Sequence, residues 1–300
     1  MAPRGLAGSG VGLLAGAVLL LGSSWPVTKY ALDGGAAPLW FATWRLGLSG
    51  CASTIGLAAG RRLRWPGRAD LPAILAVGLL QLAGFFAFAT AAAAWVTAGR
   101  TAMLANTTTI WLIPLSVLVL KERITPQRWV GALFGIAGVA VLVGPWAIDW
   151  SDPHVLIGHA LLLAAGLSWS IAIIVVRRRP MQMTMLEMLP WSFGLATLAL
   201  LPVAMWFSPG GGIGVRPTGW VALGYIGVVV GPIGTWCVSQ ATVILPTLVS
   251  SVGFLVIPAF GVVVSTLWLG EPLGPSLLAG SALILGGVLV VAWPRRRVAR

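Results

Sequence analysis

The apolar positions of this chain fall in long blocks, and the polar positions are crowded into the short gaps between them. Ten blocks are long enough to cross a hydrocarbon core, which takes roughly 20 residues each. They cover 11–30, 37–58, 72–94, 101–120, 126–145, 156–176, 184–207, 219–241, 247–268 and 275–293. The pattern predicts an all-α integral membrane protein with ten transmembrane helices. The first block does not read as a cleavable signal peptide: its amino flank holds one Arg, no small-residue cleavage site follows, and Ser23, Ser24 and Lys29 interrupt its far end.

The blocks are written twice. Residues 116–145 recur without a gap at 265–294, with ten of the thirty positions identical at an offset of 149. The matches include Glu122 with Glu271, Pro126 with Pro275, Gly131 with Gly280, Gly138 with Gly287, and Pro145 with Pro294. Fainter echoes pair Gly22, Ser24 and Trp25 with Gly166, Ser168 and Trp169, and Trp44, Gly47 and Leu48 with Trp191, Gly194 and Leu195. The expected units are 1–147 and 155–300, joined by the polar stretch Ile148 to His154. Five crossings per unit is an odd number, so the two copies must lie in opposite orientations across the membrane. Two inverted five-helix repeats form a device that can exchange inward-open and outward-open states, the arrangement of many secondary transporters.

Composition narrows the class further. The chain is 58% hydrophobic and 9% charged, against about 25% charged in soluble domains. A net charge of +12 raises nucleic acid as a partner, but its placement argues against that. With the amino terminus in the cytoplasm, fifteen of the nineteen basic residues fall on the inside, among them Arg61, Arg62, Arg64, Arg68, Lys121, Arg177 and Arg178. Asp33, Asp149, Asp152 and Glu271 fall outside. This follows the positive-inside rule. It predicts a multi-pass protein of the cytoplasmic (inner) membrane with both termini cytoplasmic, in contact with the lipid bilayer and with no nucleic acid. Both cysteines, Cys51 and Cys237, lie within spans, so no disulfide framework is indicated.

Sixteen tryptophans are present, and ten sit near span ends, where an interfacial belt explains them. Trp25, Trp44, Trp111, Trp169, Trp191 and Trp236 lie deeper. An indole N–H inside hydrocarbon wants a partner, so these six are expected to face protein or a wet cavity. Side-chain amides are equally costly in lipid. Of the polar residues within spans (Gln81, Thr90, Asn106 to Thr109, Thr235, Ser239, Gln240, Ser250, Ser251), Gln81, Asn106 and Gln240 therefore weigh most. The candidate substrate-binding set is Trp25, Gln81, Asn106, Trp169, Trp236 and Gln240.

Four charged residues are candidates for a charge or gating role: Lys29, Arg45, Glu122 and Glu271. The two glutamates precede helix starts marked by Thr125-Pro126 and Gly274-Pro275, and are expected to face the positive end of the helix that follows. Arg45 lies deep in the second span and either binds a carboxylate or snorkels outward. No Asp or Glu falls mid-span, so a buried anion for an organic cation is missing. A neutral, zwitterionic or weakly anionic solute fits better. No metal site and no cofactor is expected, since the chain offers no cluster of His, Asp or Glu and no nucleophile with a base and an orienting acid. Gly131, Gly135, Gly138, Gly280 and Gly287 let helices approach closely. They pack either the two halves or two protomers, which leaves a homodimer open.

The residues Gly22 to Lys29 (GSSWPVTK), Trp44-Arg45, Lys121 to Pro126 (KERITP) with Trp129 to Gly131, and Leu269 to Pro272 (LGEP) with Gly280 and Gly286-Gly287 resemble the EamA-type ten-helix carriers of the drug/metabolite transporter superfamily. The resemblance spans essentially the whole chain, and the pattern Leu-x-Glu-x-x-x-Pro-x-x-x-x-Gly occurs once per half. It departs at Lys29 and Arg45, whose counterparts are Ile173 and Ser192. The resemblance implies a central cavity built mainly from the first, third, fourth, sixth, eighth and ninth helices, and export of amino acids, other metabolites or drugs. The expected function is alternating-access export of a small amino-acid-like solute. A multidrug exporter, a membrane-embedded enzyme and a non-transporting scaffold are the alternatives, with an enzyme disfavoured by the missing catalytic clusters.

Overall fold

A computed structural model describes residues 4–121, 125–144, 146–178, 181–214, 216–245 and 247–292, with the backbone alone at 4–9, 109, 128, 247, 248, 251 and 292. All regular structure among the described residues is helical. In chain order the helices are α1 (Arg4–Asp33), α2 (Pro38–Ala59), α3 (Leu71–Leu75), α4 (Phe85–Ala92), α5 (Ala98–Ala105), α6 (Thr108–Leu120) and α7 (Pro126–Val143). Then come α8 (Pro153–Arg178), α9 (Met185–Phe207), α10 (Pro217–Gly224), α11 (Thr235–Ile244), α12 (Thr247–Phe254), α13 (Val256–Leu269) and α14 (Pro275–Ala292). A π-helical segment, Ala76–Gly84, joins α3 to α4, and another, Tyr225–Gly234, joins α10 to α11. Seven continuous helical stretches among the described residues are long and apolar enough to cross a membrane.

Local chemistry sets the ends. Pro38, Pro126, Pro153, Pro217 and Pro275 open their helices, where a missing N–H is harmless and the fixed φ suits the first turn. Thr184 and Glu187 form a capping box at the start of α9. α6 and α13 end alike: Lys121 (φ 54°) and Gly270 (φ 69°) are left-handed, and their N–H groups donate to Ser116 O and Ser265 O. Lys121 and Gly270 are 149 positions apart, as are Ser116 and Ser265.

The same offset governs the irregular parts of the bundle. The π segments begin at Ala76 and Tyr225. The rods that follow are each broken in two, α5 from α6 at Asn106 and Thr107, and α12 from α13 at Leu255. In sequence these interruptions are repeat-related; in space they are brought to one cavity wall, as set out below.

Packing between the halves is reciprocal. α1 packs on α13 as α8 packs on α6, and α2 packs on the Tyr225–Gly234 segment as α9 packs on the Ala76–Gly84 segment. α2 meets α9, and α7 meets α14 in the most extensive contact of the bundle. At that last contact a Cβ on Gly131 would lie 2.7 Å from Gly287 O, and one on Gly138 would lie 2.8 Å from Gly280 O. These glycines therefore join the two halves of one chain. The interface between α7 and α14 does not call for a second protomer.

Candidate functional site

Close approach of α1 to α13 builds the first wall. Pro26 inside α1 removes the amide that would bond to Gly22 O. That carbonyl instead faces Gly261, whose missing Cβ would stand only 3.0 Å away. The small pair lets α1 lie against α13, and Ser24 and Trp25, both buried, meet Arg45 of α2 and Phe85 and Phe86 of α4. Thr28 and Ser23 satisfy their hydroxyls on Ser24 O and Leu20 O, and Ser23 Oγ also meets the Tyr225 hydroxyl at 2.8 Å.

Trp25 leads into an aromatic group. Its ring centroid lies 6.2 Å from Phe85 and 6.4 Å from Phe86, and Phe85 meets Trp169 edge-on at 4.7 Å. The repeat-related indoles Trp25 and Trp169 thus share Phe85 as a common neighbour. Arg45 of α2 closes this group from the side. Its guanidinium sits 4.1 Å from the centroid of Phe86, a cation–π contact. Nη2 reaches Ser24 Oγ at 3.4 Å, while Nη1 is buried without a hydrogen-bond partner among the described residues. Arg45 is 5% exposed, so of the two expectations for it, snorkelling to the surface is ruled out.

A cavity of about 270 Å³ borders the same core. Its lining comes from both broken rods and from α14: Met103, Asn106 and Thr108, then Leu255 and Pro258, then Ile284. Met103 and Ile284 belong to the hydrophobic cluster that also holds Trp25 and Phe85, so the cavity wall and the aromatic group beside Arg45 share one core. Asn106 is exposed in the break between α5 and α6, and its Nδ2 donates to Ala102 O at 2.7 Å. Its Oδ1 is left as an acceptor. Of the helices expected to line a central cavity, only the fourth and ninth contribute here; the first, third, sixth and eighth do not, and the tenth does.

The other sequence-derived candidates scatter. Gln81 sits half-buried in the first π segment and Gln240 half-buried in α11, neither lining this cavity. Trp236 and Trp44 correct the expectation that all six deep indoles turn inward. Trp236 is 45% exposed on a face shared with Ile233 and Val243, and Trp44 shares its exposed face with Cys51 and Ile55. Trp191 is an end-of-span residue, stacked on Trp65 at 4.6 Å and donating to Arg64 O. Lys29 pairs with Asp33 at 3.2 Å and donates to Ala94 O, tying the end of α1 to the end of α4.

Glu271 is the second correction. It does not serve the helix that follows it. Its Oε1 and Oε2 accept from the amides of Ala98 and Gly99 at 2.6 and 2.9 Å, capping α5 in the other half. Glu122 lies outside the described residues, as do the side chains of Thr109 and Ser251. Two partners had escaped sequence reasoning. Arg100 donates to Leu142 O, Ala147 O and Ser276 Oγ, binding α5 to the ends of α7 and α14. Asp70, 1% exposed, accepts from the amides of Gln182, Met183 and Gly67. An acid directly before the Leu71-Pro72 helix start was its one visible signal. No group of three His, Cys, Asp or Glu among the described residues could hold a metal ion.

The model of the EamA-like transporter family matches the chain twice, at residues 8–144 and 156–293. The chain belongs to the EamA-like transporter family. It is accordingly a multi-pass membrane protein of a small-molecule transporter family. Among its relatives is the uncharacterized transporter YvbV of Bacillus subtilis, 28% identical over 282 residues, which cover 93% of this chain and 90% of that protein. Another is a probable terminal-alkyne amino-acid exporter of Streptantibioticus cattleyicolor, 26% identical, covering 91% and 90% of the two chains. A solved crystal structure shares the fold with a TM-score of 0.64 at 18% identity, covering 95% of this EamA-family chain and 96% of its own.

Proposed function

We propose that the protein is an alternating-access exporter of small amino-acid-like solutes, built from two inverted five-helix repeats with ten crossings. The observation that carries this is the pair of repeat-related broken rods, α5/α6 and α12/α13, which meet at one cavity. Discontinuous helices at corresponding positions of two halves are where such carriers hold their solute. The reciprocal contacts between halves supply the second requirement: α1 on α13 is matched by α8 on α6, and α2 on the second π segment by α9 on the first, pairs that can exchange during the cycle.

The solute is small and neutral or zwitterionic, because no carboxylate of the described residues stands mid-span to offset a cation. The amino-acid exporter among the relatives supports the same class. The units are 1–147 and 155–300, the basic ends face the cytoplasm, and the membrane is the cytoplasmic one. The test is counterflow in proteoliposomes with a panel of amino acids, with and without a pH gradient. Accumulation of one or more amino acids is expected. Protection of cells against lipophilic cations alone, with no amino-acid flux, would replace this reading with a multidrug exporter. For orientation, Asp152→Cys in a Cys51→Ser background should label from outside; labelling only from the cytoplasm would defeat the inverted arrangement.

A further inference from the structure

Arg45 is a buried positive charge that no acidic group among the described residues neutralises. A guanidinium remains protonated in any protein setting, and a charge in the membrane interior is retained only with a partner. None of the ion pairs among the described residues involves Arg45. Its neighbours are a serine hydroxyl at 3.4 Å and an aromatic face at 4.1 Å. Neither carries a formal negative charge, and Nη1 has no hydrogen-bond partner among the described residues.

We infer that Arg45 receives the carboxylate of the transported solute, with Nη1 and Nη2 as a two-pronged donor and the rings of Trp25, Phe85, Phe86 and Trp169 against its apolar body. The inference rests on the transporter reading above and narrows it to carboxylate-bearing solutes. Arginine suits the task because its planar fork matches both oxygens of a carboxylate. Nη1 is free for one of those oxygens. Ser24 Oγ, already beside Nη2, can donate to the other. The indole faces of Trp25 and Trp169 suit either an apolar side chain or, through their electron-rich surfaces, an α-ammonium group. A zwitterion bound this way brings a negative group to Arg45 while remaining neutral overall. The site is closed in this conformation, and it opens as the halves rearrange.

The test separates binding from flux. Purified protein in detergent is titrated with L-leucine, L-phenylalanine and 4-methyl-2-oxovalerate, and with leucinamide and phenylalaninamide, following thermal stability and tryptophan fluorescence. The wild-type protein should respond to the carboxylates and much less to the amides. Arg45→Gln should lose that preference, with carboxylate affinity falling on the order of tenfold to a hundredfold; Arg45→Lys should retain part of it. If Arg45→Gln does not fold, Arg45→Lys and Ser24→Ala carry the same comparison with smaller losses. Equal response to acids and amides, or an acid preference untouched in Arg45→Gln, would overturn the assignment while leaving transport intact. No response of the wild-type protein to any of the five probes overturns it as well. Arg45-dependent binding without flux in proteoliposomes would uphold the site and overturn the transporter reading instead.

Discussion

Glu271 Oε1 accepts a hydrogen bond from the amide of Ala98 at 2.6 Å, and Oε2 one from Gly99 at 2.9 Å. The carboxylate comes from the loop after α13 and the amides from the first turn of α5, so a single side chain clasps the two halves of the molecule at one end. It also sits at the positive end of the α5 dipole. Hydrogen bonds to a charged acceptor contribute about 1.5–3 kcal/mol each. Glu271→Ala should therefore loosen this end: amide exchange at 98–101 should rise, and counterflow should fall by roughly tenfold or more. Protection of those amides unchanged in the variant would remove the clasp from the mechanism.

The junction of α7 with α14 makes a sharper steric prediction. A Cβ on Gly138 would stand 2.8 Å from Gly280 O, a backbone atom that cannot swing away, whereas one on Gly286 meets nothing closer than Phe134 Cδ1 at 3.9 Å. Gly138→Ala should cost about 1–3 kcal/mol by overpacking, lowering the melting temperature in detergent. Gly286→Ala, on the same pair of helices, should leave it nearly unchanged. Equal melting temperatures for the two variants would contradict the contact.

Much of this architecture was legible in the chain, and the reason is physical. Helix ends are written in local chemistry, such as the prolines at 38, 126, 217 and 275 and the Thr184–Glu187 box, so an all-helical chain of long apolar stretches was readable, although seven of the described stretches, not ten, have membrane-crossing length and hydropathy. Which face of each helix turns inward is another matter. In lipid both sides of a span are apolar, and the helices carry no polar stripe to mark the outside. Depth alone therefore points Trp44 and Trp236 inward, and the structure leaves both about half exposed. Local sequence points Glu271 to its own helix because it cannot show that the amides it serves are 173 and 172 positions away. Arg45 stood out as a deep charge, yet its neighbours Ser24 and Phe86 come from other helices and could only be seen in the fold.

Asp70 gives a pH prediction. Amide donors from Met183 and Gln182, reinforced by Gly67 and by Arg64, hold its pKa below the ordinary value of 3.8. A folded-state pKa below the unfolded one means the contribution to stability is whole above the unfolded value and is lost as the pH falls through the folded one. The loop joining α8 to α9 should loosen in that acid range. Asp70→Asn places an NH₂ group against donors now met by Oδ1 or Oδ2, and should lower the melting temperature at neutral pH. The gap between variant and wild type should narrow as the pH is taken below about 4. A gap independent of pH would show that charge at Asp70 is not what holds the loop.

Asn106 tests the cavity at the broken rods. Its Nδ2 is used locally, on Ala102 O, so truncation removes one helix-end bond that Asn106 N, donating to Met103 O, partly backs up. The fold should therefore survive Asn106→Ala with little change in melting temperature. What the variant loses is Oδ1, the polar acceptor left free at a cavity wall otherwise formed largely by Met103, Leu255, Pro258 and Ile284. A solute with an ammonium or amide donor would lose one hydrogen bond there, about 0.5–1.5 kcal/mol, which corresponds to a fall in apparent affinity of up to roughly tenfold. Leu255→Ala, at the matching break in the other half, should instead widen the cavity and raise flux of bulkier solutes relative to small ones. Asn106→Ala with wild-type flux, together with an unchanged size preference in Leu255→Ala, would mean that the solute passes elsewhere in the bundle.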